Sequence, residues 1–314
     1  MKKFARIIGT GSYLPPKVVT NHDLEKTLDT TDEWIVARTG ISERRVVEEQ
    51  GTCDLAVQAS NKALEMAGVE AGELDLIILA TTTPDKIFPA TATMLQNQIG
   101  ATCPAFDVQA VCAGFVFAMT TAQQYIENGN AKNVLVVGSD TLSRIVDWSD
   151  RGSAILFGDG AGAVVLSTDD STGILHSKIF SDGRYLSALQ TSNNRIGEPG
   201  VIQMTGNDVF KIAVSKLSEL AEQTLQECNL TNDDVDWLVP HQANMRIISA
   251  IAKRIKLPME KVIVTLGKHG NTSAASIPLA LDTAVRDGRI KKGDKLMLEG
   301  IGGGFSWGGL LVEY

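Results

Sequence analysis

The chain repeats itself, and this repeat constrains its fold more than any other sequence feature. Residues 63–75 (ALEMAGVEAGELD) align without a gap on residues 224–236 (TLQECNLTNDDVD), and both read as a helix end, a turn, an acidic pair and an aspartate before a strand. Residues 112–129 and 271–288 align in the same way, each rich in small residues at its start and ending at a glycine typical of a helix C-cap. The matching order and spacing predict two halves of one ancestral pattern, residues 1–170 and 171–314.

Short apolar runs alternate with helical patterns in both halves. The runs that read as strands are residues 74–80, 134–138, 163–167, 237–239 and 295–299. They lack the apolar–polar alternation of a sheet with one face in water. The sequence therefore predicts an α/β fold whose sheets are covered on both faces.

Composition excludes several classes of protein. A chain of 314 residues, 44% of them hydrophobic, can bury a full core without a metal or disulfide staple. The longest lipid-like stretch, residues 108–126, is broken by polar side chains and indicates a buried helix rather than a membrane span. The first residues lack the apolar stretch of a signal peptide, which predicts a cytoplasmic protein. A net charge of −8 argues against nucleic acid as the partner.

The four cysteines lie far apart and form no CxxC pair. In a cytoplasmic protein of this size, such spacing predicts reduced thiols and neither a disulfide framework nor a metal site.

Three residues of the repeat carry chemical interest. Cys112 and Asn271 occupy equivalent places, each at the start of a buried helix, and His241 directly follows a strand. Chemistry in α/β proteins collects at such strand and helix ends, so packing of the two halves would bring the three side chains together. The helix start should lower the pKa of Cys112 and make it a thiolate at neutral pH. The alternative is structural, with an inert buried cysteine and with turn or cap residues at the other two positions.

Three glycine-containing motifs resemble known functional or structural motifs. Residues 9–14 (GTGSYL) begin like a dinucleotide fingerprint, but they lack the third glycine and run into Pro15 and Pro16, which forbid the required helix. Residues 304–308 (GFSWG) match a serine-hydrolase pattern, yet only six residues follow, too few for the helix, aspartate and histidine that it needs. We interpret residues 158–162 (GDGAG) as a tight turn before a strand.

The segments VQAVCAGFVFA, VPHQANMRII and KHGNTSAASIPLAL, in that order, resemble β-ketoacyl-acyl carrier protein synthase III. TTDEWIVARTGI, DRGSAILFGDGAGAVVL and GGGFSWGG extend the resemblance along essentially the whole chain. It implies a thiolase-like fold, two βαβαβ-type units in a five-layered αβαβα sandwich. It also implies a decarboxylating condensation of an acyl-CoA, most commonly acetyl-CoA, with malonyl-acyl carrier protein. That reaction begins type II fatty acid synthesis and uses no cofactor and no metal.

The resemblance also assigns roles. It implies that Cys112 is the nucleophile and that His241 and Asn271 hold the enolate. The backbone N–H groups of Cys112 and Gly303 would form the oxyanion hole. The resemblance implies a catalytic triad of Cys112, His241 and Asn271. The chain-elongating synthases, which are similar in fold, use Cys-His-His, so the asparagine distinguishes this chain from them.

Further positions match family residues that contact the substrate. Those expected to contact CoA are Thr30, Trp34, Arg38 and Arg151. Without the resemblance, the Trp34 and Arg38 pair would read as part of an ordinary amphipathic surface helix. The residues expected to shape the acyl pocket are Phe88, Phe157 and Leu189. The family places Phe88 in the pocket of a partner subunit, which implies a homodimer.

Charge is unevenly distributed along the chain. Residues 240–261 carry five basic residues and one acidic residue, a net +4 that leaves −12 on the rest. Arg246, Lys253 and Arg254 line one predicted helix face beside His241. The acyl carrier protein that the resemblance implies is acidic, so we expect it to dock on this face. A solvated helix face is the alternative reading.

A second activity stays open from the sequence. A thiolase-fold acyl-CoA acyltransferase of secondary metabolism could stop at the Cys112 acyl enzyme and never start fatty acid synthesis. Intact His241 and Asn271 favour condensation, because simple acyl transfer has less need of a site for an enolate.

Overall fold

Two sheets organise the computed structural model, which describes residues 3–192 and 200–314. The strands, in chain order, are β1 Phe4–Tyr13, β2 Lys17–Thr20, β3 Glu43–Val46, β4 Leu76–Ala80, β5 Ala105–Val108, β6 Asn133–Thr141, β7 Asp159–Asp169, β8 Ile174–Ser181, β9 Leu189–Thr191, β10 Ile202–Met204, β11 Trp237–Pro240, β12 Lys295–Gly302 and β13 Ser306–Glu313. The helices are α1 Asn21–Leu24, α2 Asp32–Thr39, α3 Thr52–Ala67, α4 Thr91–Ile99, α5 Gly114–Glu127, α6 Arg151–Ala154, α7 Gly206–Glu227, α8 Met245–Arg254, α9 Leu266–His269 and α10 Ser276–Arg286.

The two sheets have the same strand order. The first runs β1-β7-β6-β4-β5 and the second runs β8-β13-β12-β11. In each, a parallel pair (β4 with β6, β11 with β12) continues into two antiparallel pairs, and in the first sheet β4 also pairs in parallel with β5. The place of β5 is taken in the second sheet by a single bridge between Leu238 and Val262. This is the arrangement that duplication of one unit would produce.

Asp75 and Asp236, the equivalent aspartates of the repeat, make the same hydrogen bonds in both halves. The Asp75 N–H donates to the Asn133 carbonyl (2.9 Å), and its carboxylate accepts from the Asn133 N–H (3.0 Å). The Asp236 N–H donates to the Lys295 carbonyl (3.0 Å), and its carboxylate accepts from the Lys295 N–H (2.8 Å). Each aspartate therefore pins the start of the neighbouring strand, β6 or β12.

Helices cover every face of the two sheets. α5 and α10 lie between the sheets in one buried cluster with β4, β6, β12 and β13. α3 and α4 pack on the outer face of the first sheet, and α7 and α8 on the outer face of the second. The result is five layers, αβαβα, with fully buried strands such as β4 and β6. The prediction of sheets covered on both faces is confirmed.

Two glycine motifs serve close packing. Residues 159–162 of the GDGAG motif lie inside β7, so the predicted tight turn is wrong. A Cβ on Gly162 would lie 2.7 Å from the Leu279 backbone nitrogen, because α10 presses directly on the strand. Gly9 and Gly11 lie in β1, where a Cβ would collide with backbone atoms of α3. These glycines let helix and strand backbones approach closely.

The apolar stretch at residues 108–126 begins at the last residue of β5 and forms most of α5, which is largely buried between the sheets, as predicted. Within residues 3–192 and 200–314, no helix combines the length and the apolar character needed to cross a membrane.

Candidate active site

Cys112 lies at the end of the first sheet, in a short 3₁₀ turn, Val111–Ala113, that leads into α5. Its side chain is buried, with 5% of the residue exposed. The preceding Val111 has a φ of +48°, which a β-branched residue rarely adopts. The surrounding structure must hold this strained backbone in place, and strain of this kind is typical of functional sites.

The protonation state of Cys112 differs from the expectation. The pKa of its thiol is raised to about 12, chiefly by burial, against a lowering by the Ser273 hydroxyl and with a smaller raising by the nearby Asp140 carboxylate. The predicted thiolate is therefore wrong for the resting site. Loss of water around the sulfur outweighs the effect of the helix start, and Cys112 rests as a thiol.

His241 is the first residue after β11. Its side chain is buried and lines the same cavity as Cys112, which is described below. Burial lowers the pKa of its imidazole to about 3, so the ring is neutral. Its Nδ1 lies 2.6 Å from the Ser276 hydroxyl, which also accepts a hydrogen bond from the Gln242 N–H (3.3 Å). Because a hydroxyl can accept from or donate to Nδ1, Ser276 supports either tautomer and leaves Nε2 available to the cavity.

Asn271 is held by its backbone against the segment that follows α6. Its N–H donates to the Leu156 carbonyl (2.8 Å), and its carbonyl accepts from the Gly158 N–H (3.0 Å). Its side-chain Oδ1 accepts from the Ser273 N–H (2.9 Å), which fixes the orientation of the amide. The Nδ2 group is thus left to donate into the cavity that Asn271 lines.

The end of β12 lies directly against the backbone of Cys112. A Cβ on Gly302 would lie 2.5 Å from the Cys112 backbone nitrogen, so only glycine fits there. Gly303, the next residue, lines a cavity together with Cys112. The structure thus brings the predicted pair, Cys112 and Gly303, to one place.

One cavity of about 430 Å³ is lined by Cys112, His241 and Asn271. It is also lined by Trp34 and Arg38. Two guanidinium groups contact the Trp34 ring, with the Arg151 Cζ at 4.6 Å and the Arg38 Cζ at 5.6 Å from its centroid.

The predicted aromatic–arginine cluster is therefore assembled at the cavity that holds the thiol. Thr30 lies just before the N-cap of α2, outside the lining of this cavity, with a buried hydroxyl that has no hydrogen-bond partner within the described part of the chain.

A second cavity of about 430 Å³ meets the first at Cys112. Phe157 and Leu189 line both cavities, so these two predicted acyl-pocket residues stand at the junction. Phe88 lines neither cavity of its own chain and is 83% exposed, as is its neighbour Ile87.

The predicted basic face lies on α8. Arg246, Lys253 and Arg254 are exposed, and the helix begins at the N-cap Asn244, whose side chain accepts from the Arg246 N–H (2.8 Å). Arg246 also lines the first cavity, whereas Lys253 and Arg254 occupy the last turn of the helix, outside that lining.

The sequence reasoning missed two polar residues that support the site. Ser276 orients His241, and it lies within the segment 268–276, five residues after Asn271. The buried Asp140 accepts from the Ala274 N–H (3.1 Å) and the Thr82 N–H (2.8 Å), and so ties β6 to the turn after Asn271. Its place at a strand end was the available signal.

All four cysteines are free thiols. In the described ranges, 3–192 and 200–314, no cluster of three histidine, cysteine or acidic side chains is placed to hold a metal ion.

The chain is similar in sequence and in fold to known proteins. Residues 106–183 match the family described as 3-oxoacyl-[acyl-carrier-protein (ACP)] synthase III, and residues 225–314 match its C-terminal region. A beta-ketoacyl-[acyl-carrier-protein] synthase III from Vesicomyosocius okutanii subsp. Calyptogena okutanii (strain HA) is 71% identical over all of both chains. One from Neisseria meningitidis serogroup B (strain ATCC BAA-335 / MC58) is 56% identical, over 99% of this chain and 100% of the relative.

The crystal structure of 3-oxoacyl-[acyl-carrier-protein] synthase III from Aquifex aeolicus VF5 superimposes with a TM-score of 0.96 at 46% identity, covering 99% of this chain and 100% of that one. The expected thiolase-like fold is confirmed. By sequence and by fold, the chain belongs to the beta-ketoacyl-[acyl-carrier-protein] synthase III family.

Proposed function

We propose that this chain condenses an acyl group from an acyl-CoA, foremost acetyl-CoA, with malonyl-acyl carrier protein, releases CO₂, and so starts fatty acid synthesis. One observation carries the proposal. A single cavity is lined by a buried thiol, a neutral imidazole and an oriented amide donor, and by the Trp34 and Arg38 side chains. Family membership supports the same activity.

The first half-reaction acylates Cys112. The resting thiol gives its proton to Nε2 of neutral His241, and the sulfur attacks the acyl-CoA carbonyl. The carbonyl oxygen becomes an oxyanion, for which the Cys112 and Gly303 N–H groups are the proposed donors. The bond to the CoA sulfur then breaks, and CoA leaves with the proton that His241 returns to it.

The second half-reaction forms the carbon–carbon bond. The bond to the malonyl carboxylate breaks, CO₂ departs, and its electron pair forms an enolate. Once CoA has left, His241 is neutral, and the Ser276 hydroxyl can donate to Nδ1 so that the ring proton lies on Nε2. Nε2–H of His241 and Nδ2–H of Asn271 are then the proposed donors to the enolate oxygen. The enolate carbon attacks the Cys112 thioester, and the sulfur leaves with its electron pair. The thiolate then takes up one proton from solvent, since the thiol's own proton left with CoA. No step needs a metal or an organic cofactor, because CO₂ loss generates the carbanion.

The two substrates share an entrance in this proposal. Trp34, Arg38 and Arg151 form an aromatic and cationic surface suited to an adenine ring and its phosphates, with Thr30 nearby. The exposed basic face of α8, with Arg246, Lys253 and Arg254, suits an acidic carrier protein.

A homodimer is part of the proposal. The side chains of Ile87 and Phe88 are both 83% exposed, which is unusual for adjacent large apolar residues. A second copy that received Phe88 at the cavity of Phe157 and Leu189 would bury it and close the acyl pocket. We also propose that the enzyme works in the cytoplasm.

The alternative acyltransferase of secondary metabolism would stop at acyl-Cys112. The Asn271 amide would have no role in that reaction, although its Oδ1 accepts from the Ser273 N–H and so leaves Nδ2 to donate to a substrate. This orientation favours condensation over simple acyl transfer.

The direct test is to incubate the purified protein with labelled acetyl-CoA and malonyl-acyl carrier protein. We expect label on Cys112, release of CO₂ and formation of acetoacetyl-acyl carrier protein. Cys112→Ser should abolish the labelling. Label on Cys112 without CO₂ release or product would contradict the proposed function and favour the acyltransferase.

A further inference from the structure

Arg44 is a buried cation that the proposed reaction does not use. It lies on β3, and none of the residue is exposed. Its Nη1 donates to the Val19 carbonyl (3.2 Å) and to Asn21 Oδ1 (2.9 Å), and its Nη2 donates to the Ile155 carbonyl (2.7 Å). All three acceptors are neutral. Burial of a guanidinium without an opposing carboxylate is costly, so this position calls for a reason beyond packing.

One reason lies in the segment that Arg44 holds. Ile155 directly precedes the Leu156–Gly158 stretch, whose backbone makes both hydrogen bonds to the backbone of Asn271. A Cβ on Gly158 or on Gly270 would lie 3.0 Å from the Arg44 Cβ, so Arg44 packs tightly against both. Arg44 thus touches the two chain segments that meet at Asn271, one from each half of the fold.

The other end of this network reaches α2. Asn21 is fully buried, and its Nδ2 donates to Asp32 Oδ1 (2.8 Å) and to the Ile41 carbonyl (2.7 Å). Asp32 is the first residue of α2, the helix that carries Trp34 and Arg38, and Ile41 follows its C-cap, Gly40. A chain of hydrogen bonds therefore runs from α2 through Asn21 and Arg44 to the segment that clamps Asn271.

We propose that Arg44 is a positioning residue for the second half-reaction. It keeps Asn271 in a fixed position relative to α2 and to the rest of the cavity. The inference rests on the proposed function, since it takes Asn271 as a donor to the enolate. A planar guanidinium suits the task, because it can bind the Asn21 and Ile155 oxygens at once in a fixed geometry. Displacement of Asn271 would harm the enolate step and leave the attack by Cys112 largely untouched.

The experiment measures the two half-reactions separately in Arg44→Met, Arg44→Lys and the matched control Arg45→Met. Arg45 is the next residue on β3 and is part-exposed. For Arg44→Met we expect acylation of Cys112 by acetyl-CoA within about 3-fold of wild type. CO₂ release from malonyl-acyl carrier protein should fall roughly 30- to 100-fold, since a misplacement of about 1 Å can cost that much.

Arg44→Lys keeps the charge and can still reach one carbonyl, so it should rescue CO₂ release to within roughly tenfold of wild type. Arg45→Met should leave both half-reactions unchanged. If Arg44→Met does not fold, Arg44→Lys and Asn21→Ala serve in its place, each with a smaller loss confined to CO₂ release.

Equal losses in both half-reactions would show a merely structural role and overturn the inference, as would an Arg44→Met enzyme with unchanged CO₂ release. Asn271→Ala in the same assay distinguishes a failure of the Arg44 inference from a failure of the proposed role of Asn271. If it loses CO₂ release selectively and the Arg44 variants do not, the inference fails while the proposed function stands. If it shows no selective loss, the proposed role of Asn271 fails first.

Discussion

Cys112 and His241 are both uncharged in the resting protein. Burial raises the pKa of the thiol to about 12 and lowers that of the imidazole to about 3. Keeping both neutral avoids burying an ion pair before a substrate is present. Charge then develops only after acyl-CoA brings a carbonyl oxygen to the hydrogen-bond donors, which makes the nucleophile dependent on its substrate.

This protonation state predicts slow alkylation of the resting enzyme. Only the thiolate reacts with iodoacetamide, and a thiol with a raised pKa is almost wholly protonated near neutrality. We expect the alkylation rate of Cys112 to rise roughly tenfold per pH unit between about pH 7 and 9, without a plateau. Peptide mass mapping, with Cys112→Ser as the control, separates Cys112 from the other three thiols. A plateau reached below pH 7 would instead support a thiolate formed by the helix start.

Residue types and their places in the repeat singled out Cys112, His241 and Asn271 as candidates, and the resemblance to the family supplied their proposed roles. Ser276 and Arg44 could not be predicted in this way, because their roles depend on contacts across the fold. The His241–Ser276 contact spans 35 residues and the Arg44–Ile155 contact spans 111. The sequence also missed the effect of burial on the Cys112 pKa, since the depth of a side chain is a property of the packed molecule.

At the scale of elements, the starts of α5 and α10 position the candidate catalytic residues. Each begins in a 3₁₀ turn, Val111–Ala113 or Ser273–Ala275, and the two turns contact each other between the sheets. The sequence predicted these helix starts because both begin with small residues that allow close approach. All five predicted strands overlap observed ones, β4, β6, β7, β11 and β12.

Three antiparallel strands, β1, β8 and β13, were not predicted. β1 and β13 contain paired glycines, which weaken a strand pattern, and β8 is mostly half-buried along its length. Their glycines are explained only by the neighbours that approach them. A Cβ on Gly308 would lie 2.7 Å from the Lys178 carbonyl of β8.

Helix α8 gives a prediction about substrate docking. Lys253 is exposed in the last turn of the helix and lies outside the lining of the cavity. Lys253→Glu should therefore raise the KM for malonyl-acyl carrier protein about 3- to 10-fold and leave the KM for acetyl-CoA unchanged. Arg246→Glu should raise both KM values, because Arg246 also lines the cavity.

Steady-state kinetics at low salt measures these effects, with Lys292→Glu as the charge-matched control. Lys292 precedes β12, which begins at Lys295 and reaches the site only at Gly302. Equal effects of Lys253→Glu and Lys292→Glu would show that net charge, rather than this helix face, governs docking.

At the scale of the whole molecule, two similar sheets contribute different parts of one site. The first half supplies Cys112 and the Trp34 cluster, and the second supplies His241 and Asn271. Asp140 joins them, since its carboxylate at the end of β6 accepts from the Ala274 N–H of the second half. The repeat predicted this convergence, whereas the cross-links that fix it depend on the tertiary structure.

The exposed Phe88 gives a prediction at this scale. If a partner subunit's acyl pocket receives Phe88, then Phe88→Ala enlarges that pocket and should shift preference toward longer acyl-CoA primers by at least about tenfold relative to acetyl-CoA. Ile87→Ala, equally exposed in the single chain, is the matched control. Light scattering should report a dimer for all three proteins. A monomeric wild type, or an unchanged primer preference in a dimeric Phe88→Ala, would contradict this assembly.

We propose that one cavity performs both half-reactions with different residues. Asn271→Ala tests it most directly, with Cys112 acylation and CO₂ release measured in the same preparation. We predict acylation within about 3-fold of wild type and CO₂ release reduced on the order of 10²- to 10³-fold, the effect of removing one hydrogen-bond donor. An equal loss of both half-reactions, or unimpaired CO₂ release, would contradict the account.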